Sequence, residues 1–125
     1  MKQLSEITWA KKPYRVNTSE IEPMVAPLHE GSNSWTLAMN NDIEVFITEI
    51  RPDGAALRDN HPDADHLFYY LSGYGYHIVD GERIDFGPND AVFIPRGCDH
   101  EMYVTGRETL RMVVTLSPAR KAKWK

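Results

Sequence analysis

From Trp35 to Leu116 the chain alternates short apolar stretches with turn residues. The segments "SWTLAMN" (34–40), "IEVFITEI" (43–50), "AALRDNH" (55–61), "HLFYYL" (66–71), "YGYHIV" (74–79), "AVFIP" (91–95), "HEMYV" (100–104) and "TLRMVVTL" (109–116) are rich in β-branched and aromatic residues, and several repeat with period two. Between them lie "NND", "RPDG", "DGE", "FGPND", "PRG" and "TGRE". No stretch of ten residues carries a helical period. Eight short strands at this spacing predict an all-β sandwich or barrel. "VDGERI" around Asp80–Gly81 is a hairpin signal, because a tight turn needs the positive φ that glycine tolerates. The first 33 residues are broken by prolines and read as an irregular arm. Residues 34–118 read as the barrel and 119–125 as a basic tail.

At 125 residues, with 42% hydrophobic and 26% charged positions, one domain with a proper core is expected. The net charge of −4 argues against nucleic acid, whose binding needs a concentrated basic footprint. Lysines and arginines gather in "AKKPYR" (10–15) and "ARKAKWK" (119–125), read as solvated ends. The single Cys98 rules out an intrachain disulfide and is compatible with a reducing cytoplasm. No apolar run is long enough for a membrane span, and the N-terminus lacks a signal-type core. A cytoplasmic protein without nucleic-acid or membrane partners is the expectation.

Histidines raise the question of chemistry. In "DNHPDADHLFYYLSGYG" (59–75), Asp59 and His61 are two apart and project to one face of a strand, and His66 opens the next strand. Further on, "IPRGCDH" (94–100) sets a turn before His100 at the head of another strand. If these strands share a barrel wall, three imidazoles and a carboxylate converge, a donor set suited to a divalent Fe, Mn, Ni or Zn ion. Alternation from His66 places Phe68 and Tyr70 on the same face, and alternation from His100 adds Met102. With His77, these residues predict a largely apolar pocket for a small molecule. His29 reads as a bystander. Asp63 and Asp65 lack the glycine and distal glutamate of a calcium loop and read as solvated. Cys98 reads as a small packed thiol.

At this point the sequence resembles the cupin superfamily, small RmlC-like jelly-roll barrels also described as double-stranded β-helices. Its first motif runs Gly, five residues, His-x-His, three or four residues, Glu, six residues, Gly. Its second runs Gly, five residues, Pro-x-Gly, two residues, His, three residues, Asn. Here the chain reads Asp59-x-His61, four residues, His66, six residues, Gly73, then Asn89, five residues, Pro95-x-Gly97, two residues, His100. His61 and His100 fall on family histidines. Asp59 stands where a histidine is usual and His66 where glutamate is usual, so the two donor types are exchanged. Asn89 and Val104 replace the family's Gly and Asn. The resemblance implies a metal held by His61, His66, His100 and Asp59, and an enzyme of the Fe(II)-oxygenase or lyase/isomerase type acting on a small carbonyl or carboxylate compound. It equally admits a non-catalytic small-ligand or sugar-binding barrel whose metal is structural or absent. It also implies a homodimer, with the N-terminal arm as the exchanged segment.

Overall fold

A computed structural model of the chain describes residues 11–24, 32–52, 55–59 and 63–119, with 55–59 described as backbone. The strands are β1 (Ser32–Met39), β2 (Glu44–Ile50), β3 (Ala55–Asp59), β4 (Asp65–Ser72), β5 (Tyr74–Val79), β6 (Glu82–Phe86), β7 (Ala91–Ile94), β8 (His100–Thr105) and β9 (Leu110–Ser117). They form two antiparallel sheets, one in the order β1-β2-β9-β4-β7 and the other β3-β8-β5-β6. This is the all-β jelly roll expected. The only helical element among the described residues is a single 3₁₀ turn, Thr18–Glu20. Among them, no helix is long and apolar enough to cross a membrane.

Eight strands were expected and nine are seen among the described residues, because β6 completes the hairpin signalled by Asp80–Gly81. Asp80 (φ 47°) and Gly81 (φ 85°) both take left-handed backbone, and Val79 pairs with Glu82 across the turn. Two positive φ angles in a two-residue loop match the twist of the flanking strands. The sequence "ERIDF" escaped recognition as a strand because three of its five residues are charged.

Alternation places the core. In β4, His66, Phe68 and Tyr70 are buried while Leu67, Tyr69 and Leu71 are exposed. In β8, His100 and Met102 are buried, and in β9 Leu110, Met112, Val114 and Leu116 are. With Ile50, Ala64, Phe86, Val92 and Ile94 these side chains fill the space between the sheets. Tyr70 and Phe86 stack with ring centroids 3.8 Å apart, tying β4 to β6 across the core.

The described part of the arm lies against its own barrel. Met24 and Ser34 form an isolated bridge beside β1, the Tyr14 hydroxyl donates to the Leu37 carbonyl, and Ile21 is buried.

Candidate functional site

His66 and His100 come from different sheets and meet inside the barrel. His66 is the second residue of β4, His100 the first of β8, and both are buried. Their imidazoles stand edge to face with centroids 5.0 Å apart. The Pro95–Gly97 segment sets up this meeting. Gly97 takes φ 87° and the Cys98 amide bonds back to the Pro95 carbonyl at 3.4 Å, closing a turn that delivers His100 to the head of β8.

A clamp unnoticed in the sequence ties the two histidine-bearing elements together. The Asp65 carboxylate accepts from the Arg96 amide at 2.9 Å and from its guanidinium nitrogens at 3.2 Å. Asp65 immediately precedes His66, and Arg96 sits in the turn before His100. The bidentate bond therefore holds the two approaches in register, and Arg96 keeps the Asp65 carboxyl below its usual range. Asp65 was expected to be solvated; its "DADH" context resembles a loop, and only tertiary contact reveals the partner.

Asp59 closes β3 with its Cα opposite that of His100, which in turn pairs with Val79 on β5. The Asp59 side chain, and His61 and His29 entirely, lie outside the described residues. Among the described residues no group of three metal-ligating side chains occurs.

Deeper in the barrel, Phe68 packs against His66 (5.1 Å) and His77 (4.8 Å). Tyr70 and His77 are fully buried and share a short hydrogen bond between Tyr70 Oη and His77 Nε2. Burial, with the Asp90 carboxylate adding, pushes the Tyr70 phenol well above its usual range. Burial lowers His77 to about 4, with electrostatic interaction with His100 adding and the Glu101 main chain opposing. At neutral pH Tyr70 therefore keeps its proton and His77 is neutral, with Nε2 sharing a hydrogen bond with the Tyr70 hydroxyl. Met102, also buried, pairs with His77 across β5 and β8.

The interior is less apolar than expected. On β1 and β2, Ser32, Thr36, Glu44 and Thr48 are buried, and Ser34 bonds to Thr48 at 2.9 Å. Glu44 falls in one cross-strand row with Leu116 and His66. In "IEVFITEI" the more apolar set is Ile43, Val45 and Ile47, so alternation alone favours the wrong face for Glu44. The one signal was its spacing of two from Phe46 and of six from Ile50.

Asn89, standing in the place of a family glycine, has φ 73°. Asparagine tolerates this conformation better than other residues with a Cβ, so the replacement preserves the turn. Cys98 is half-buried, and its thiol donates to the Asp80 carboxylate, which raises its pKa. We expect iodoacetamide at pH 8 to alkylate native Cys98 several-fold more slowly than free cysteine, and Asp80→Asn to speed the reaction by about threefold or more. Asparagine keeps the turn and removes the charge. Equal rates in the two proteins would refute the link between Asp80 and the thiol.

A small antiparallel jelly roll with inward-facing histidines at the head of two strands defines a class of barrel known for small-molecule and metal sites. The Cupin domain family profile matches residues 46–116, and the chain belongs to this family. Among curated proteins it is similar to the tetracenomycin polyketide synthase protein TcmJ of Streptomyces glaucescens, 29% identical over 101 residues, spanning 75% of this chain and 67% of that protein. Among solved structures it is similar to the polyketide cyclase RemF from Streptomyces resistomycificus, with a TM-score of 0.74, 24% identity, and coverage of 88% of this chain and 82% of that one. KdgF from Halomonas sp. superposes with a TM-score of 0.78 at 18% identity, covering 89% and 97%. These structural likenesses establish the fold.

Proposed function

We propose that this cupin is a metal-dependent enzyme acting on a small carbonyl compound held in the barrel. The observation that carries the reading is the convergence of His66 and His100. Two imidazoles sharing one ion at about 2.0–2.1 Å per bond place their centroids roughly 5 Å apart, and these stand at 5.0 Å. The donors fit a borderline divalent ion such as Fe, Mn, Ni or Zn. His66 and His100 would hold it, with His61 and Asp59 completing the set that the family motif implies. When bound, such an ion supplies Lewis-acid polarisation of a carbonyl oxygen.

The chain's own residues support a carbonyl substrate. Phe68 packs against both histidines, and Met102, two residues after His100, is buried on the same face of β8. Tyr70 and His77 stay neutral near pH 7, so the interior beside the site carries no fixed charge of theirs. The polyketide names of TcmJ and RemF support a polycarbonyl compound as the substrate class. They also favour the lyase or isomerase type of reaction over the oxygenase type.

Elemental analysis of the purified protein tests the reading. One equivalent of a transition metal is expected, lost in His66→Ala and in His100→Ala, and retained less tightly in Asp59→Ala. Metal should raise the melting temperature of wild type and leave the His100→Ala variant unmoved. A protein that takes up no metal and is not stabilised by any of the four ions would overturn it in favour of a metal-free binding barrel.

A further inference from the structure

His66 and His100 belong to different sheets, and among the described residues no strand ladder joins the two. Within a sheet the ladder fixes how far apart side chains stand. Between sheets, packing and the connecting turns must do so, and a metal centre needs its donors within about 0.5 Å of the productive geometry. Residues 95–99, the turn from β7 to β8, cross from one sheet to the other beside both histidines.

This turn is fastened at both ends, each time by an aspartate. At its far end Asp99, the residue before His100, donates its amide to the Asp80 carboxylate at 3.1 Å, and its carbonyl accepts the Asp80 amide at 3.0 Å. These bonds hold it to the β5–β6 hairpin, in the sheet that carries His100. At its near end the β4–β7 ladder stops with His66 opposite Ile94, and Pro95, next in line, has no amide to continue it. The Asp65 side chain takes over. One of its oxygens accepts the Arg96 amide at 2.9 Å and Nε at 3.2 Å, and the other accepts Nη2 at 3.2 Å. The residue before His66 is thus tied to the turn four residues before His100, across the seam between the sheets.

We infer that Asp65 and Arg96 are positioning residues for the metal pair: their clamp, made outside the barrel, sets how His66 and His100 approach and so how tightly an ion is held. This role rests on the reading of those two histidines as metal donors. The Asp65 and Arg96 side chains are 35% and 54% exposed, and an ion pair so open to water adds little to folding stability. Its geometry sets it apart. Three hydrogen bonds on one carboxylate, two of them from a planar fork, define direction as well as distance. Outer partners that orient metal donors are worth about 10–100-fold in affinity.

Chelator competition with zinc or manganese tests the clamp. Arg96→Met and Asp65→Asn should each weaken binding about tenfold, and the double variant little more, because either change opens the same contact. Charge alone predicts otherwise. Losing a cation would tighten the hold on a divalent ion, and losing an anion would loosen it. Arg96→Lys keeps the charge without the fork and should recover only part of the affinity. Arg111→Met breaks a comparably exposed pair, Arg111–Glu49 at 3.1 Å, near the opposite end of β9, and should leave affinity unchanged. Circular dichroism of all metal-free variants should match wild type. Opposite shifts in Arg96→Met and Asp65→Asn, or wild-type affinity in both, would overturn the inference.

A metal-free measurement separates the clamp from the metal reading. The edge-to-face rings of His66 and His100 should give a ring-to-ring NOE in the apo protein. It should weaken in Arg96→Met and Asp65→Asn and persist in Arg111→Met. If wild type takes up no ion, weakened cross-peaks would uphold the clamp and fail only the metal reading, whereas unchanged cross-peaks in both variants would overturn the clamp itself.

Discussion

Gly75→Ala should destabilise the barrel by about 4 kcal/mol, or prevent it from accumulating as folded protein. A methyl group built on Gly75 would lie 2.2 Å from the Tyr103 carbonyl oxygen and 2.7 Å from Cζ of Phe86. The first neighbour is backbone of the adjacent strand β8, which cannot move without breaking the β5–β8 ladder. The second is a ring stacked on Tyr70, which in turn bonds to His77. Neither can give by the ångström or so required, and overpacking that forces backbone movement belongs to the severe end of single substitutions. Gly81→Ala is the internal control. Nothing lies within 4 Å of its added methyl, and only its φ of +85° is unfavourable, which is worth about 1–2 kcal/mol. Urea titration of both variants separates the two kinds of glycine. If Gly75→Ala unfolds within 1 kcal/mol of wild type, the close approach of β5 and β8 is wrong.

The second large effect concerns acid. His77 is lowered from 6.5 to about 4 in the folded protein, chiefly by burial. The unfolded chain therefore binds a proton below pH 6.5 that the native barrel does not bind until pH 4. His77 destabilises progressively as pH falls through that window, and its contribution is constant above it. About 3 kcal/mol separates the two limits, at 1.36 kcal/mol per pKa unit. Denaturant unfolding of metal-free protein at pH 7 and pH 4.5 should reveal the loss. His77→Gln preserves a hydrogen-bonding partner for the Tyr70 hydroxyl and does not titrate, so its pH dependence should be distinctly flatter than that of wild type. Parallel curves for the two proteins would exclude His77 as the source.

Much of the barrel was legible because strand alternation is a local property. The succession of strands along the chain, the shared face of His66, Phe68 and Tyr70 and that of His100 and Met102, and the Asp80–Gly81 hairpin all follow from side chains two apart or from turns of fixed chemistry. Two spaced motifs, each anchored on a turn, were enough to indicate the family. Strand β6 was missed because a short hairpin arm exposed on one face can be mostly charged and still complete its ladder. The Asp65–Arg96 clamp was missed because its partners are 31 residues apart, and nothing local distinguishes a clamping aspartate from a solvated one.

The outer wall of the five-stranded sheet marks the boundary between the two kinds of knowledge. In β2 and β4 both faces carry apolar side chains, so period two announces a strand without saying which side is interior. Local patterns were enough to indicate a β barrel, where its turns lie, and which histidines stand at the heads of strands. It took the packed fold to show that Glu44 and Thr48 face inward while Leu67, Tyr69 and Phe93 face out, and that His66 meets His100 with ring centroids 5.0 Å apart. The reason is physical. Alternation is written into neighbouring residues, but the choice of face and the meeting of two histidines 34 positions apart depend on which sheet packs against which.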